Sequence, residues 1–175
     1  MTVTDVNVVK SAIFERPDDA NKGTLGSLLC VCGSYGMAGA AVMSAKGALR
    51  TGIGLAKCAL PRSIYPIVAQ TILESVYYPL SENADGRISK VNVPFLVSES
   101  CKSSATLVGC GLGVCDDTLK IVFSLIENST TPLVLDADAL NCVAKQPEIL
   151  LRKKAPIIIT PRAKCQDLQV LQLRL

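Results

Sequence analysis

An α/β fold, with a mostly parallel sheet covered on both faces, is predicted by three features of the 175-residue sequence. Short apolar runs alternate with helix-length segments along the chain. The runs are continuous rather than alternating, as in Leu28-Leu29-Cys30-Val31-Cys32, which suits strands buried on both faces. Glycine or acidic turns follow them, and in parallel sheets ligands gather at the carboxyl ends of strands.

Ser27 to Cys32 is the first strand and ends at Gly33. Gly33 to Gly39 turns the chain into a helix over Ala40–Thr51, with Ala41, Ala45 and Ala48 on one stripe and Gly52 as its stop. Leu55 to Leu60 is a strand closed by Pro61, and Arg62 to Gln70 a short helix. Glu74 to Leu80 is a strand, Ser81 to Lys90 is polar and turn-rich, and Asn92 to Ser100 is a helix with Pro94 in its first turn. Ala105 to Val108 is a strand, followed by the glycine turn Gly109 to Gly113. Asp116 or Asp117 is the expected cap of a helix running to about Glu127. Leu133 to Leu135 is a strand leading through Asp136–Asn141 into a short helix, with Asp138 its expected cap. Glu148 to Lys153 is another helix, and Pro156 to Thr160 the last strand.

Composition excludes several functions. The chain is 49% hydrophobic and 19% charged, which argues against disorder. A net charge of +3, no Trp and 4% aromatic residues argue against nucleic-acid binding. Histidine is absent, so this sequence holds no His-based triad, Cys–His dyad or His metal ligand. None of the eight cysteines stands as C-x-x-C, and most lie in apolar runs, so reduced, buried thiols in a cytoplasmic protein are expected. Charges among Asp5, Lys10, Glu15 and Arg16 exclude a signal peptide. Thr24 to Ala45 carries no charge, but its glycines fit a strand, turn and helix better than a membrane span.

Gly33, Gly36 and Gly39 are spaced G-x-x-G-x-x-G, which is neither the dinucleotide nor the P-loop pattern. The segment reads either as a turn needing positive φ or as a loop whose bare N–H groups face a phosphate. Gly109-Cys110-Gly111-Leu112-Gly113 allows a similarly close backbone approach. Of the carboxylates after the Leu133 strand, Asp136 is the better candidate for a ligand or metal-bound water.

Taken together, Lys22-Gly23-Thr24-Leu25-Gly26, Gly33-Ser34, Gly39-Ala40 and Ala48–Leu55 resemble the NAD(P)H-hydrate dehydratase family. Val108–Gly113 is similar to its Gly-Pro-Gly-Leu-Gly turn, with Cys110 in place of proline. Asp136-Ala137-Asp138-Ala139-Leu140-Asn141 matches the family's Asp-Ala-Asp-Ala-Leu-Asn, and Thr160-Pro161 begins its Thr-Pro-His-Pro-Gly-Glu. The resemblance spans about 22–161 of one domain. It implies a ribokinase-like three-layer α/β/α fold, incomplete at the C-terminus. The implied reaction is removal of water from hydrated NADH or NADPH at the expense of ADP (or ATP), with Mg2+. The implied hydrated-nucleotide site is Ala40, Gly111, Gly113, Asp136 and Asn141. A side chain at Gly111 is expected to occupy space that the pyrophosphate needs. The family's ADP site and catalytic Asp would lie beyond Leu175, which leaves no catalytic residue and no metal ligand assigned in this chain. The partners implied are small nucleotides, with a second copy of the chain or the family's epimerase domain as protein partners; nucleic acid and membrane are not.

The departures are Asn21, where the family has His, and Arg162-Ala163-Lys164-Cys165 in place of His-Pro-Gly-Glu. Codons compatible with Arg162–Gln169, read in a shifted frame, give Pro-Gly-Glu-Met-Ser-Arg-Phe-Ala. On that reading 162–175 is an out-of-frame tail; the alternative is a true family variant, and the nucleotide sequence decides. A sheet ending at Thr160 is expected to leave Val134, Leu135, Ile157, Ile158 and Ile159 short of part of their cover, giving a chain that is aggregation-prone or only partly folded and has no dehydratase turnover alone. The alternative functions are a non-catalytic remnant with weak nucleotide binding and a ribokinase-type small-molecule kinase.

Overall fold

The computed structural model describes residues 20–21 and 23–161. Lys22, the stretch up to Asp19, and the 162–175 tail with Arg162 and Cys165 lie outside the described residues.

Six strands form one sheet: β1 (Ser27–Val31), β2 (Leu55–Pro61), β3 (Val76–Leu80), β4 (Ala105–Val108), β5 (Leu133–Asp136) and β6 (Ile157–Thr160). Every pairing is parallel, in the order β3-β2-β1-β4-β5-β6. The helices are α1 (Ala38–Arg50), α2 (Tyr65–Thr71), α3 (Val93–Cys101), α4 (Asp116–Asn128) and α5 (Asp138–Lys145). The predicted elements are present with shifted ends. Cys32 and Pro156 fall outside their strands, and β3 starts at Val76. Helix α1 starts two residues before Ala40 and stops at Arg50, where Gly52 takes φ +94°. Pro147–Arg152 is a 3-10 segment rather than an α-helix.

The side-chain alternation of β1 explains the three layers. Leu29 and Val31 enter a core with Leu133 and Leu135, under Leu96 of α3, Ile121 and Leu125 of α4, and Leu140 and Val143 of α5. Cys30 and Cys32 point the other way, to a smaller core with Cys58 and Leu60 of β2, Ala41 and Ala45 of α1, and Val68 of α2. The alanine stripe of α1 lets that helix sit close to the sheet. Its cover ends near β1 and β2: Ile158 of β6, on the same face beyond β5, is 58% exposed. Leu135, by contrast, is fully buried in the larger core, against the expectation that it would lack cover.

Two helix starts differ from expectation. At α4 the cap is Cys115, not Asp116 or Asp117: its backbone N–H donates to Thr118 Oγ1 at 2.9 Å, while both aspartates lie in the first turn. At α5 the cap position is Ala137, with φ 48° and ψ −112°, the one positive-φ residue other than glycine among the described residues. Asp138 is the first helical residue, and its carboxylate is used elsewhere.

Gly109 has φ +123°, and a Cβ there would lie 1.9 Å from the Asp136 carbonyl oxygen and 2.7 Å from the backbone nitrogen of Ala139. Both neighbours are backbone, so no side-chain movement relieves the overlap. Gly109→Ala is expected to lower unfolding stability by roughly 3 kcal/mol or more, read as a fall in the urea midpoint. An unchanged midpoint would contradict this close approach.

Candidate functional site

The chain builds the sheet outward from β1 through β2 to β3, then returns to place β4 on the other side of β1. Such a reversal opens a crevice at the carboxyl ends of the two central strands. Here a cleft of about 550 Å³ opens at that end, on the face that α1 leaves uncovered over β5 and β6. One wall is Met37, Ala40, Met43 and Ser44; the other is Asp136, Ala137, Asp138, Leu140 and Asn141, with Cys110, Gly111 and Thr160 between them.

The wall of α1 is electropositive by construction. The first turn of this 13-residue helix has no acidic residue, and no side chain caps its start. Its leading N–H groups and the helix dipole therefore favour an anion. Gly33 and Gly36 take φ +84° and +81°, so both serve the turn that delivers β1 into α1. Gly39 is different: nothing lies within 4 Å of where its Cβ would be, so packing does not demand glycine there.

The opposite wall is acidic but extensively hydrogen-bonded. Thr160 donates its hydroxyl to Asp136 Oδ1 at 2.8 Å, and Cys110 donates its thiol to Asp136 Oδ2 at 3.2 Å. Asp138 accepts the Gly113 backbone N–H at 2.8 Å and the Asn141 side-chain amide at 3.2 Å. Ser34, in the turn after β1, donates to the Gly111 carbonyl at 2.8 Å and ties the two glycine turns together.

Of the residues implied by the resemblance, Ala40, Gly111, Asp136 and Asn141 line the cleft. Gly113 does not. Its φ is +74°, a Cβ there would lie 2.5 Å from Arg87 Nε, and its N–H holds Asp138 in place. The reason for glycine at 111 also differs from expectation. A Cβ there would lie 2.7 Å from the Cβ of Ala40 and 3.1 Å from that of Met37, against the start of α1. Met37, Met43 and Ser44 were not anticipated, though helical spacing from Ala40 places them on its side of α1.

Burial of the thiols on this side of the sheet splits their acidities. Burial pushes Cys30 far above the ordinary thiol range, with Cys58 and Cys110 adding to the effect. A hydrogen bond with Cys110, and then burial, raise Cys32 as well. Hydrogen bonds from Cys32 and from Ser44 lower Cys110, although burial and the Asp136 carboxylate act against them. Among the described residues no group of three or more Cys, Asp or Glu side chains can hold a metal ion. The residues present therefore do not supply a three-ligand site for Mg2+. No helix among them is long and apolar enough to cross a membrane.

The chain matches the family described as NAD(P)H-hydrate dehydratase over residues 28–165. It is 34% identical over 148 residues to the bifunctional NAD(P)H-hydrate repair enzyme Nnr of Thermofilum pendens, covering 85% of this chain and 28% of that protein. The crystal structure of a ribokinase-like superfamily protein from Enterococcus faecalis superimposes with a TM-score of 0.73 at 18% identity, covering 91% of this chain and 52% of that one. The ADP/ATP-dependent NAD(P)H-hydrate dehydratase of Bacillus subtilis, co-crystallised with ATP and Mg2+, gives 0.66 at 25% identity, over 89% of this chain and 50% of that one. The chain thus spans about a quarter to a half of the length of these proteins. The fold is ribokinase-like, and the chain belongs to the NAD(P)H-hydrate dehydratase family.

Proposed function

We propose that the cleft binds the hydrated nicotinamide dinucleotide for ADP-dependent dehydration of NADH or NADPH hydrate, a nucleotide-repair reaction of the cytoplasm. The observation that carries this reading is the pairing of an uncapped helix start with an Asp-Ala-Asp-Ala-Leu-Asn wall across one cleft. The two walls suit the two parts of a dinucleotide. Phosphates are favoured by the N–H groups of α1, where Gly39 leaves room for close approach. Hydroxyl-bearing parts are favoured by the carboxylates, which are acceptors when ionised.

In this arrangement the residues of the chain bind and orient. Asp136 has Thr160 and Cys110 fixing its carboxylate plane, so its remaining lone pairs face the cleft in a set direction. Asn141 and Gly113 do the same for Asp138. Phosphoryl transfer is mostly a matter of such positioning and charge compensation. The co-substrate ADP supplies the phosphoryl chemistry, and no step of that transfer is assigned to these residues.

The direct test is calorimetric titration of the 175-residue chain with hydrated NADH and, separately, NADH, with ADP present and absent. Saturable binding of the hydrate is expected, and absence of binding to the chain would remove this reading. Asp136→Asn is expected to weaken binding by roughly tenfold or more, since hydrogen bonds to a charged group are worth about 1.5–3 kcal/mol. Binding of hydrated NADH in preference to a sugar or hydroxymethylpyrimidine distinguishes a dehydratase cleft from that of a small-molecule kinase.

Gly111→Val tests the close approach of the two turns. Its side chain would press on Ala40 and Met37 at φ +66°, forcing the turn away from α1 and deforming the phosphate wall. Affinity for hydrated NADH is expected to fall by roughly tenfold or more while the far-ultraviolet circular dichroism is retained. Unchanged affinity would take this turn out of the site.

A further inference from the structure

Four thiols lie on the α1 face of the sheet: Cys30, Cys32, Cys58 and Cys110. Cys30 stands directly across from Cys58 in the β1–β2 register, and both are buried away from the cleft. Cys32 and Cys110 are placed differently. The Gly109 N–H donates to the Val31 carbonyl at 3.2 Å, and the Gly33 N–H donates to the Cys110 carbonyl at 2.8 Å. These two bonds bracket Cys32 against the Gly109–Cys110 peptide, and each thiol shifts the acidity of the other. Carried one residue past Val31–Val108, the β1–β4 register puts Cys32 opposite Gly109 and one residue from Cys110. A strand spacing of about 4.8 Å and a rise of about 3.3 Å per residue then leave their Cα atoms roughly 5.8 Å apart, inside the roughly 4.4–6.8 Å that a disulfide needs. Cys110 lines the cleft, whereas Cys32 is only 1% exposed. One thiol is thus reachable by a small oxidant, and a second waits behind it.

We propose that Cys110 and Cys32 are a peroxide-oxidisable thiol pair in the wall of the cleft, closing to a disulfide that withdraws the thiol hydrogen bond from Asp136. The sulfur of Cys110 attacks one peroxide oxygen and the O–O bond breaks. This leaves a sulfenic acid at Cys110 and releases one water, the thiol proton leaving with the departing oxygen. The sulfur of Cys32 then attacks the sulfur of Cys110, displacing the sulfenic hydroxyl, which takes the Cys32 proton and leaves as a second water. Two thiols and one hydrogen peroxide give one disulfide and two waters, with two electrons passing from the sulfurs to the peroxide. The division of roles follows the acidities: hydrogen bonds from Cys32 and Ser44 lower Cys110, and Cys32 is held protonated until it is used. Asp136 then keeps only Thr160 as a donor, so the oxidised cleft has a freer carboxylate.

The proposal does not rest on the nucleotide reading, because its test is chemical. The reduced 175-residue chain is treated with a few equivalents of hydrogen peroxide, freed of peroxide, denatured in the presence of N-ethylmaleimide and mapped by mass spectrometry. The expected result is a loss of two thiols from the eight, a cross-link joining Cys32 to Cys110, and reversal by dithiothreitol. In Cys32→Ser the expected product is a sulfenic acid at Cys110, trapped by dimedone with no cross-link. Cys110→Pro is expected to abolish both products. A wild-type chain whose Cys32 and Cys110 both still accept maleimide after peroxide, or whose cross-link joins any other pair, overturns the proposal.

Discussion

Backbone packed against backbone at the strand ends is the constraint on which the rest of the site depends. Gly109 brings the end of β4 within direct contact of the Asp136 carbonyl and the Ala139 nitrogen, closer than any side chain would permit. Gly111 brings the same turn against the first residues of α1. Three elements that would otherwise be held apart by their side chains therefore converge on one cleft. Ala137 takes φ 48° in the segment opposite Gly109, a conformation costing about 1–3 kcal/mol that the surrounding contacts must offset. Strain of this kind is stable only where the neighbours over-determine the backbone, and here they lie on both sides of it.

That convergence sets the electrostatics. A helix start that no side chain caps and two carboxylates face each other across about 550 Å³. Neither carboxylate is left to find its own orientation. Thr160 and Cys110 hold Asp136, while Gly113 and Asn141 hold Asp138. A site so arranged is organised before its ligand arrives, which reduces the ordering cost of binding.

The cysteines show how one residue type serves two purposes. Cys30 and Cys58 act as small apolar side chains, filling the narrow layer that the alanines of α1 leave above the sheet. Cys110, in the glycine turn after β4, places a polarisable, ionisable atom 3.2 Å from Asp136 Oδ2. Cys32, just past the end of β1, lies beside the Gly109–Cys110 turn where the β1–β4 ladder ends.

The strands and glycine turns were legible because their signals are local. A short continuous apolar run that stops at glycine or an acidic turn reads as a buried strand, and β1 and β4 appear before Gly33 and Gly109 while β5 ends at Asp136. The Asp136–Asn141 segment was singled out by its resemblance to a known motif, and four of its side chains, with Ala137, line one wall of the cleft. The caps at Cys115 and Ala137 were not, because Asp117 is taken by Asn83 and Asp138 by Gly113, partners 34 and 25 residues away. Nor could spacing distinguish Gly111 from Gly113, since only the packed structure shows that one meets α1 and the other Arg87. The alternation of short apolar runs with helix-length segments thus determined the elements and their order. Which thiols, carboxylates and glycines meet was decided by the sheet order, because return of the chain to β1 joins segments that are remote in sequence.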